Sequence, residues 1–316
     1  MKEVYNPLVS VIVASYGNAP YIKTMIESVL NQTFSNWELI ITDDASPDDS
    51  NNIIEKYLNN DQIKLFKHKN NRGAGAAFKT CMNNAKGEII VMLGADDALK
   101  PTALEVIVQK YKEHKDAAMI VGGLELTDNN LKPINRCRIF EGLPDGFNSI
   151  LEYKGAFGWD TFKRDNYERT EGFDENLKSS IDQDLYYKLE ETGKIIFIND
   201  CLYLYRQNEK GISQNNKIIA YQFRRKAMIN AYYRRKREDS KINISKSQKN
   251  TILYYYYLQE ALLSFRKFNP KGVLQLIIAF FYSPNMLFKK ENYISFYNRL
   301  MQKKRMNHKP ENSVWE

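Results

Sequence analysis

The stretches Leu8–Ala14 (LVSVIVA), Trp37–Asp44 (WELIITDD) and Glu88–Leu93 (EIIVML) decide the fold class. Each is a short, β-branched and nearly continuous apolar run, the pattern of a strand buried on both faces. Ile63–His68 (IKLFKH) is a fourth such run. Between them lie helical patterns: Ala19–Asn31, with Tyr21, Met25, Ile26, Val29 and Leu30 on one face, then Asp48–Leu58 and Gly75–Ala85. One more helix (Thr102–His114) and one more strand (Ala117–Val121) follow Pro101. Strands alternating with helices predict an α/β fold with a doubly wound, mainly parallel sheet. Ligands of such sheets bind beyond the carboxyl ends of the strands, so chemistry is sought just after each one.

The chain has 316 residues, 43% hydrophobic and 27% charged. These values exclude a wholly disordered, collagen-like or polytopic membrane protein. The net charge of +8 is unevenly spread. Residues 1–216 hold 25 Lys+Arg against 32 Asp+Glu (−7), and residues 217–316 hold 21 against 6 (+15). From about Asn215 the texture also changes, with 18 of the 40 aromatics in the last 100 residues and helical periodicity without clear strands. The expected organisation is an α/β body at 1–214 and a basic, aromatic-rich helical extension at 215–316, broken at Asn269-Pro270 and Ser283-Pro284.

Cys81, Cys137 and Cys201 are few, far apart and lack a CxxC pair, so a disulfide scaffold is not expected and a reducing cytoplasm is the default compartment. The N-terminus lacks the pattern of a signal peptide. No segment reaches the ~20 apolar residues of a membrane span; the nearest, Val273–Phe288, contains Gln275, Ser283, Pro284 and Asn285.

Three acidic groups stand where chemistry is expected: Asp43-Asp44 after WELIIT, Asp96-Asp97 after EIIVMLGA, and Asp182-Gln183-Asp184 before an apolar helical pattern. A lone Asp after a strand is usually a cap or turn residue. Adjacent acids raise each other's pKa unless a cation or donor sits between them, and a divalent ion shared with substrate phosphates is the usual remedy. There is no P-loop and no GxGxxG, and three histidines offer no nucleophilic triad, so the general base should be an Asp. Trp159-Asp160 is a candidate acceptor contact, although an aromatic in an α/β core packs more often than it binds, and Asp184 reads equally as a supporting acid or as the solvated start of helix Leu185–Glu191.

These residues resemble the family 2 glycosyltransferases of the GT-A fold. The resemblance rests on Val9–Asn18 (VSVIVASYGN), Ser28–Thr33, Trp37–Ser46, Asn71-Arg72-Gly73, Ala85–Ile90, Asp96-Asp97, Gly172-Phe173-Asp174-Glu175 and Leu204-Tyr205-Arg206, and covers about residues 7–213. It implies a Rossmann-like nucleotide-diphospho-sugar transferase domain, inversion at the sugar, and Mn2+ or Mg2+. Ser15 and Tyr16 would line the nucleotide base, Asp44 would bond base or ribose with Asp43 in support, and Arg72 would approach the pyrophosphate. Asp96 and Asp97 would meet the ribose and the metal, and Asp182 would take the acceptor's proton. The family's usual D-x-D-D reads Gly94-Ala95-Asp96-Asp97 here, and Ile181 replaces the glutamate that often precedes the base.

The implied reaction moves a sugar from a nucleotide-diphosphate donor, a UDP-sugar, to a hydroxyl of a surface polysaccharide or lipid-linked saccharide. The competing reading is a non-catalytic, membrane-peripheral binding protein on the same fold. The cationic runs Arg224-Arg225-Lys226, Arg234–Arg237, Lys289-Lys290 and Lys303-Lys304-Arg305 fit either a solvated helical face or an anionic inner membrane leaflet. Nucleic acid fits less well, because no RNA-binding signature appears and the body is acidic.

Overall fold

In a computed structural model of the protein the described residues are 5–134, 137–139, 142, 149–151, 158–208, 217–237, 246–266 and 269–282. Among them the chain divides into two compact units, Met1–Ala231 and Tyr232–Glu316.

The first unit is built on one eight-stranded sheet: β1 (Val9–Ser15), β2 (Trp37–Asp43), β3 (Ile63–Lys67), β4 (Ile89–Met92), β5 (Ala98–Leu99), β6 (Ala117–Thr127), β7 (Trp159–Lys163) and β8 (Lys194–Arg206), in the order β3-β2-β1-β4-β7-β6-β8-β5. The apolar runs became β1, β2 and β4 because every residue of β2 and β4 is buried, as a central strand requires. β3, β2, β1 and β4 are mutually parallel. Helices α1 (Ile22–Leu30), α2 (Ser50–Glu55), α3 (Ala74–Asn84) and α4 (Ala103–Glu113) alternate with the first six strands except that the two-residue β5 follows β4 directly. Each buried Val, Leu or Ile of this core contributes about 1.5–3 kcal/mol.

β7 breaks the alternation. It runs antiparallel to both β4 and β6 and is followed by α5 (Arg164–Glu168) and α6 (Ile181–Glu190), while β6 and β8 are parallel. These late strands are hard to read in sequence. β8 spans KIIFINDCLYLYR, with Asn199-Asp200 in its middle, and the β6–β8 register shifts around Gly122 and Gly123. A Cβ on Gly122 would lie 3.3 Å from the Trp159 ring, so the glycine admits the indole.

Cys137 and Cys201 form a disulfide with Cα atoms 6.0 Å apart, which corrects the expectation of unpaired cysteines. The chain after β6 doubles back, pairing Leu124 with Arg138, and so lays Cys137 beside β8. Proximity across 64 residues is a property of that return and is invisible in cysteine spacing. Cys81 is free and buried, as a small hydrophobe should be.

Helix α7 (Lys217–Arg235) spans the boundary between the units. The second unit holds α8 (Lys246–Arg266) and α9 (Lys271–Tyr282), packed on each other through Tyr254, Leu258 and Ala279, with Tyr257 and Tyr282 stacked at 5.7 Å. Ser283-Pro284 and the two cationic runs beyond it lie outside the described residues.

Where β1 meets β4, a buried polar knot replaces hydrophobic contact. Ser10 Oγ donates to Glu38 (2.7 Å), Gly87 N–H donates to Ser10 Oγ (2.7 Å), and Lys64 Nζ reaches Glu38 at 2.9 Å. Burial alone would raise the Glu38 pKa, but donors from Ser10, Lys64 and the Lys86 N–H together hold it below the ordinary value. A Cβ on Gly87 would stand 2.5 Å from Ser10 N and 2.8 Å from Leu8 O, both backbone atoms. Gly87→Ala is therefore expected to cost about 2–3 kcal/mol, seen as a lower midpoint in urea unfolding. An unchanged midpoint would mean that the strands part freely here.

Candidate active site

The carboxyl ends of β1, β2 and β4 share one edge of the sheet, with Ser15 in register with Asp43. The first two loops there are laced together. Asp44 N–H donates to Ser15 O (2.8 Å), Gly17 N–H to Ser46 Oγ (3.0 Å) and Ala19 N–H to Asp48 Oδ2 (2.9 Å). Gly17 sits at φ 69°, a conformation that favours glycine.

Asp43 and Asp44 are both buried and both fully engaged. Asp43 accepts from Ser46 N–H (2.9 Å), the Ser46 hydroxyl and Asn51 Nδ2 (2.9 Å). Asp44 accepts from Arg72 N–H (2.9 Å) and Gly73 N–H (2.6 Å), and its Oδ1 lies 2.6 Å from His68 Nδ1. The two acids thus fasten the 46–51 turn and the 68–73 loop to the end of β2. Beside them, Ser15 Oγ is buried without a partner and Tyr16 is half exposed. The Arg72 guanidinium turns outward to Glu175 (2.8 Å), which Lys79 also meets at 2.8 Å.

Asp96 and Asp97 take opposite positions in the turn after β4. Asp97 is buried, and both its oxygens are used within the protein: the Tyr203 hydroxyl donates to Oδ2 and Arg206 N–H to Oδ1 (2.8 Å). Burial, with Asp96 alongside, pushes its pKa up to about 8 against those two donors. Asp96 is only partly buried, and Asn208 Nδ2 approaches its Oδ2 at 3.3 Å. Arg206 Nε donates to the Asp96 carbonyl (2.5 Å), and its guanidinium lies 4.7 Å above the Tyr21 ring. Among the described residues no three His, Cys, Asp or Glu side chains converge as a ready-made metal cage. A partly exposed carboxylate beside a closed one suits an ion that takes most of its oxygens from a diphosphate and water.

Asp182 lies in the first turn of α6, where the helix dipole favours an anion. Burial raises its pKa, while the Gln183 N–H and the Arg224 cation pull it down. Asp160, on β7 one residue beyond the Val91–Thr161 pair, lies near enough to feel its charge. Burial and Asp182 push the Asp160 pKa well up, against a hydrogen bond from Tyr186, and Asp160 Oδ1 is buried without a partner. Each acid has a donor, but only Asp182 also has a cation to lower it, so burial pushes Asp160 up the further of the two.

Asp184 is not the solvated start of a helix. It is buried and pairs with Lys188 at 2.6 Å, and Lys188 also donates to Gly172 O (2.7 Å). Trp159 is buried and packs against Tyr203, as expected of a core aromatic. Sequence reasoning missed the parts played by His68, Tyr186 and Tyr203, and named Asp160 only as a candidate acceptor contact beside Trp159. Leu204-Tyr205-Arg206 was visible as a motif, but its contact with Asp97 is 109 residues away in sequence.

A mainly parallel sheet with acidic turns at its carboxyl edge and a reversed β7 defines the GT-A class of nucleotide-sugar transferase folds. Residues 10–165 match Glycosyl transferase family 2, and the chain belongs to that family. It is 30% identical over 205 residues to chondroitin synthase of Escherichia coli, covering 62% of this chain and 28% of that one. The chain thus spans less than a third of that relative's length. It resembles S. aureus TarS 1–349 in complex with UDP-GlcNAc with a TM-score of 0.55 and 18% identity, over 92% of this chain and 79% of that one. It also resembles the mannosyltransferase PcManGT from Pyrobaculum calidifontis, in complex with GDP-Man and Mn2+, with a TM-score of 0.58 and 16% identity, over 97% and 89%.

Gly94 explains the missing first acid of the D-x-D-D pattern. Its N–H donates to the Tyr203 hydroxyl (3.0 Å), and a Cβ there would collide with Asp97 Oδ2 and lie 3.1 Å from that hydroxyl. Gly94→Ala and Tyr203→Phe should each cost about 1–3 kcal/mol in urea unfolding. Their effects should fall short of additivity in a double-mutant cycle, since both disturb one contact. Strict additivity would show that the two residues act separately.

Proposed function

We propose that the protein transfers a sugar from a nucleotide-diphosphate donor, a UDP-sugar, to a hydroxyl of a growing surface polysaccharide or lipid-linked saccharide, with Mn2+ or Mg2+ and with inversion. The observation that carries this reading is the division of labour among the acids. Asp43, Asp44 and Asp97 are consumed in holding loops, whereas Asp96 and Asp182 are not. The bound UDP-GlcNAc of TarS, the GDP-Man and Mn2+ of the mannosyltransferase, and the polysaccharide synthase among the relatives support the substrate class.

In this reading Ser15 and Tyr16 face the nucleotide base, with Asp43 and Asp44 fixing the loops around it and Arg72 standing beside the pyrophosphate. Asp96 would hold the metal, whereas Asp97, expected beside it as a second ligand, is locked to Tyr203 and Arg206 and orients the turn that presents Asp96. A divalent ion on the diphosphate would neutralise the charge that grows there as the sugar leaves. Asp182 takes the proton of the attacking hydroxyl. Its raised proton affinity makes it a stronger base than a solvated aspartate, and Asp160, still protonated, adds no second charge.

A screen of UDP- and GDP-sugars with Mn2+ or with EDTA tests the reaction, and no turnover or nucleotide binding with any of them would overturn it. Asp182→Asn is expected to lower kcat by about 10²–10⁴-fold while nucleotide binding persists. Undiminished activity would remove Asp182 from the role of base. The wild-type rate should fall as pH drops through the Asp182 pKa, at a pH above that of a free aspartate (~3.9). Asp160→Asn should keep that acid limb and lose any decline at alkaline pH, because the second buried ionisation is gone.

A further inference from the structure

Helix α9 is apolar on both sides. Gly272 and Ala279 are buried on its inner side, and Leu276 and Tyr282 pack with them against α8. Its outer side carries Val273 (53% exposed), Leu274 (59%), Ile277 (48%), Phe280 (37%) and Phe281 (76%). Positions i, i+1, i+4, i+7 and i+8 form one continuous stripe along a helix. A helix facing only water would carry polar residues there, so a stripe of five large apolar side chains marks a contact surface.

The charges around it identify the partner. Residues 261–290 contain no Asp or Glu and five cations, Arg266, Lys267, Lys271, Lys289 and Lys290, so the stripe is bracketed in sequence by positive charge on both sides. The whole unit 232–316 holds 17 Lys+Arg against 6 Asp+Glu. A second copy of this chain would bring the same positive charge to the same face and be repelled, whereas an anionic bilayer offers both an apolar layer and opposite charge. The 12 residues of α9 extend about 18 Å, short of the ~30 Å of a bilayer's hydrocarbon core, so the helix can lie in the interface but not cross it. Likewise, no described helix is long and apolar enough to cross a membrane.

We propose that the Val273, Leu274, Ile277, Phe280 and Phe281 face of α9 is a docking surface for an anionic lipid bilayer. The stripe settles at the boundary between headgroups and acyl chains, and the flanking cations meet the lipid phosphates. Phe281, the most exposed of the five, supplies the largest single share of the area to be buried.

The test is flotation of the full-length protein with phosphatidylcholine vesicles, with and without about a third phosphatidylglycerol, a composition chosen for surface charge. Wild type is expected to float with the mixed vesicles and at least about tenfold less with pure phosphatidylcholine. Leu274→Glu/Phe281→Glu should weaken binding to the mixed vesicles at least about tenfold. Both sites are exposed, so the thermal midpoint should not move, and Val273→Ser/Ile277→Ser supplies a milder second variant with a smaller loss. Phe281→Trp should show a blue-shifted emission component on binding. The proposal is overturned if wild type stays in solution with the mixed vesicles. It is equally overturned if the Glu variant binds unchanged, which would leave a purely ionic attraction, or if light scattering shows a wild-type dimer that the Glu variant dissolves.

Discussion

Asp97 exchanges water for two donors on a single strand, and much of the carboxyl edge is arranged by that exchange. The Tyr203 hydroxyl and the Arg206 N–H both come from β8, so the turn after β4 is bound to the far half of the sheet. Losing either donor would leave a buried acid short of a partner, a far larger cost than the average worth of a hydrogen bond. The turn therefore has one conformation. Asp96 is placed as a consequence, its carbonyl taken by Arg206 Nε and its carboxyl left toward solvent. Arg206 continues to the Tyr21 ring, and so the loop after β1 is held to the loop after β4 by a strand neither of them adjoins in the chain.

The same economy runs through the other acids. Asp44 closes the 68–73 loop with backbone N–H groups and His68, and Asp43 closes the 46–51 turn. Asp184 closes α6 onto the Gly172 turn through Lys188. Clustering of acids near a sheet edge is therefore mostly scaffolding, and what distinguishes a working carboxylate is that its partners leave it accessible or leave its proton affinity unusual. In the proposed reading Asp96 meets the first condition and Asp182 with Asp160 the second; Asp97 also has a raised proton affinity, but both its oxygens are already bonded within the protein.

How legible this was in the sequence depended on contact distance along the chain. β1, β2 and β4 are buried on both faces, so their apolar runs declare themselves, and helices α1, α3 and α4 carry a clear stripe. β7 and β8 do not, because β8 is only partly buried and is interrupted by polar Asn199-Asp200, and β7 is five residues long. The acidic turns could be found because each follows a strand. Their partners could not: Tyr203 and Arg206 reach Asp97 from over a hundred residues away, where no local pattern records the contact. Cys137 and Cys201 failed for the same reason, since the reversal after β6 that brings them together leaves no mark in their spacing.

Gly94 shows how a departure from a family pattern can be a consequence of packing. An acid at that position would enter a turn in which Asp97 already resists ionisation, adding a third carboxylate beside Asp96 and pressing a side chain onto the Tyr203 hydroxyl. Like charges at that spacing raise one another's pKa and would weaken the anion that remains exposed. With glycine there, the backbone N–H of residue 94 instead supports the hydroxyl that supports Asp97. The turn loses one carboxylate, and the Asp97–Tyr203–Arg206 contact is held in place. In the proposed reaction the diphosphate oxygens would make good the lost ligand, so the protein's part is to keep one carboxylate, Asp96, fixed at the mouth of the turn.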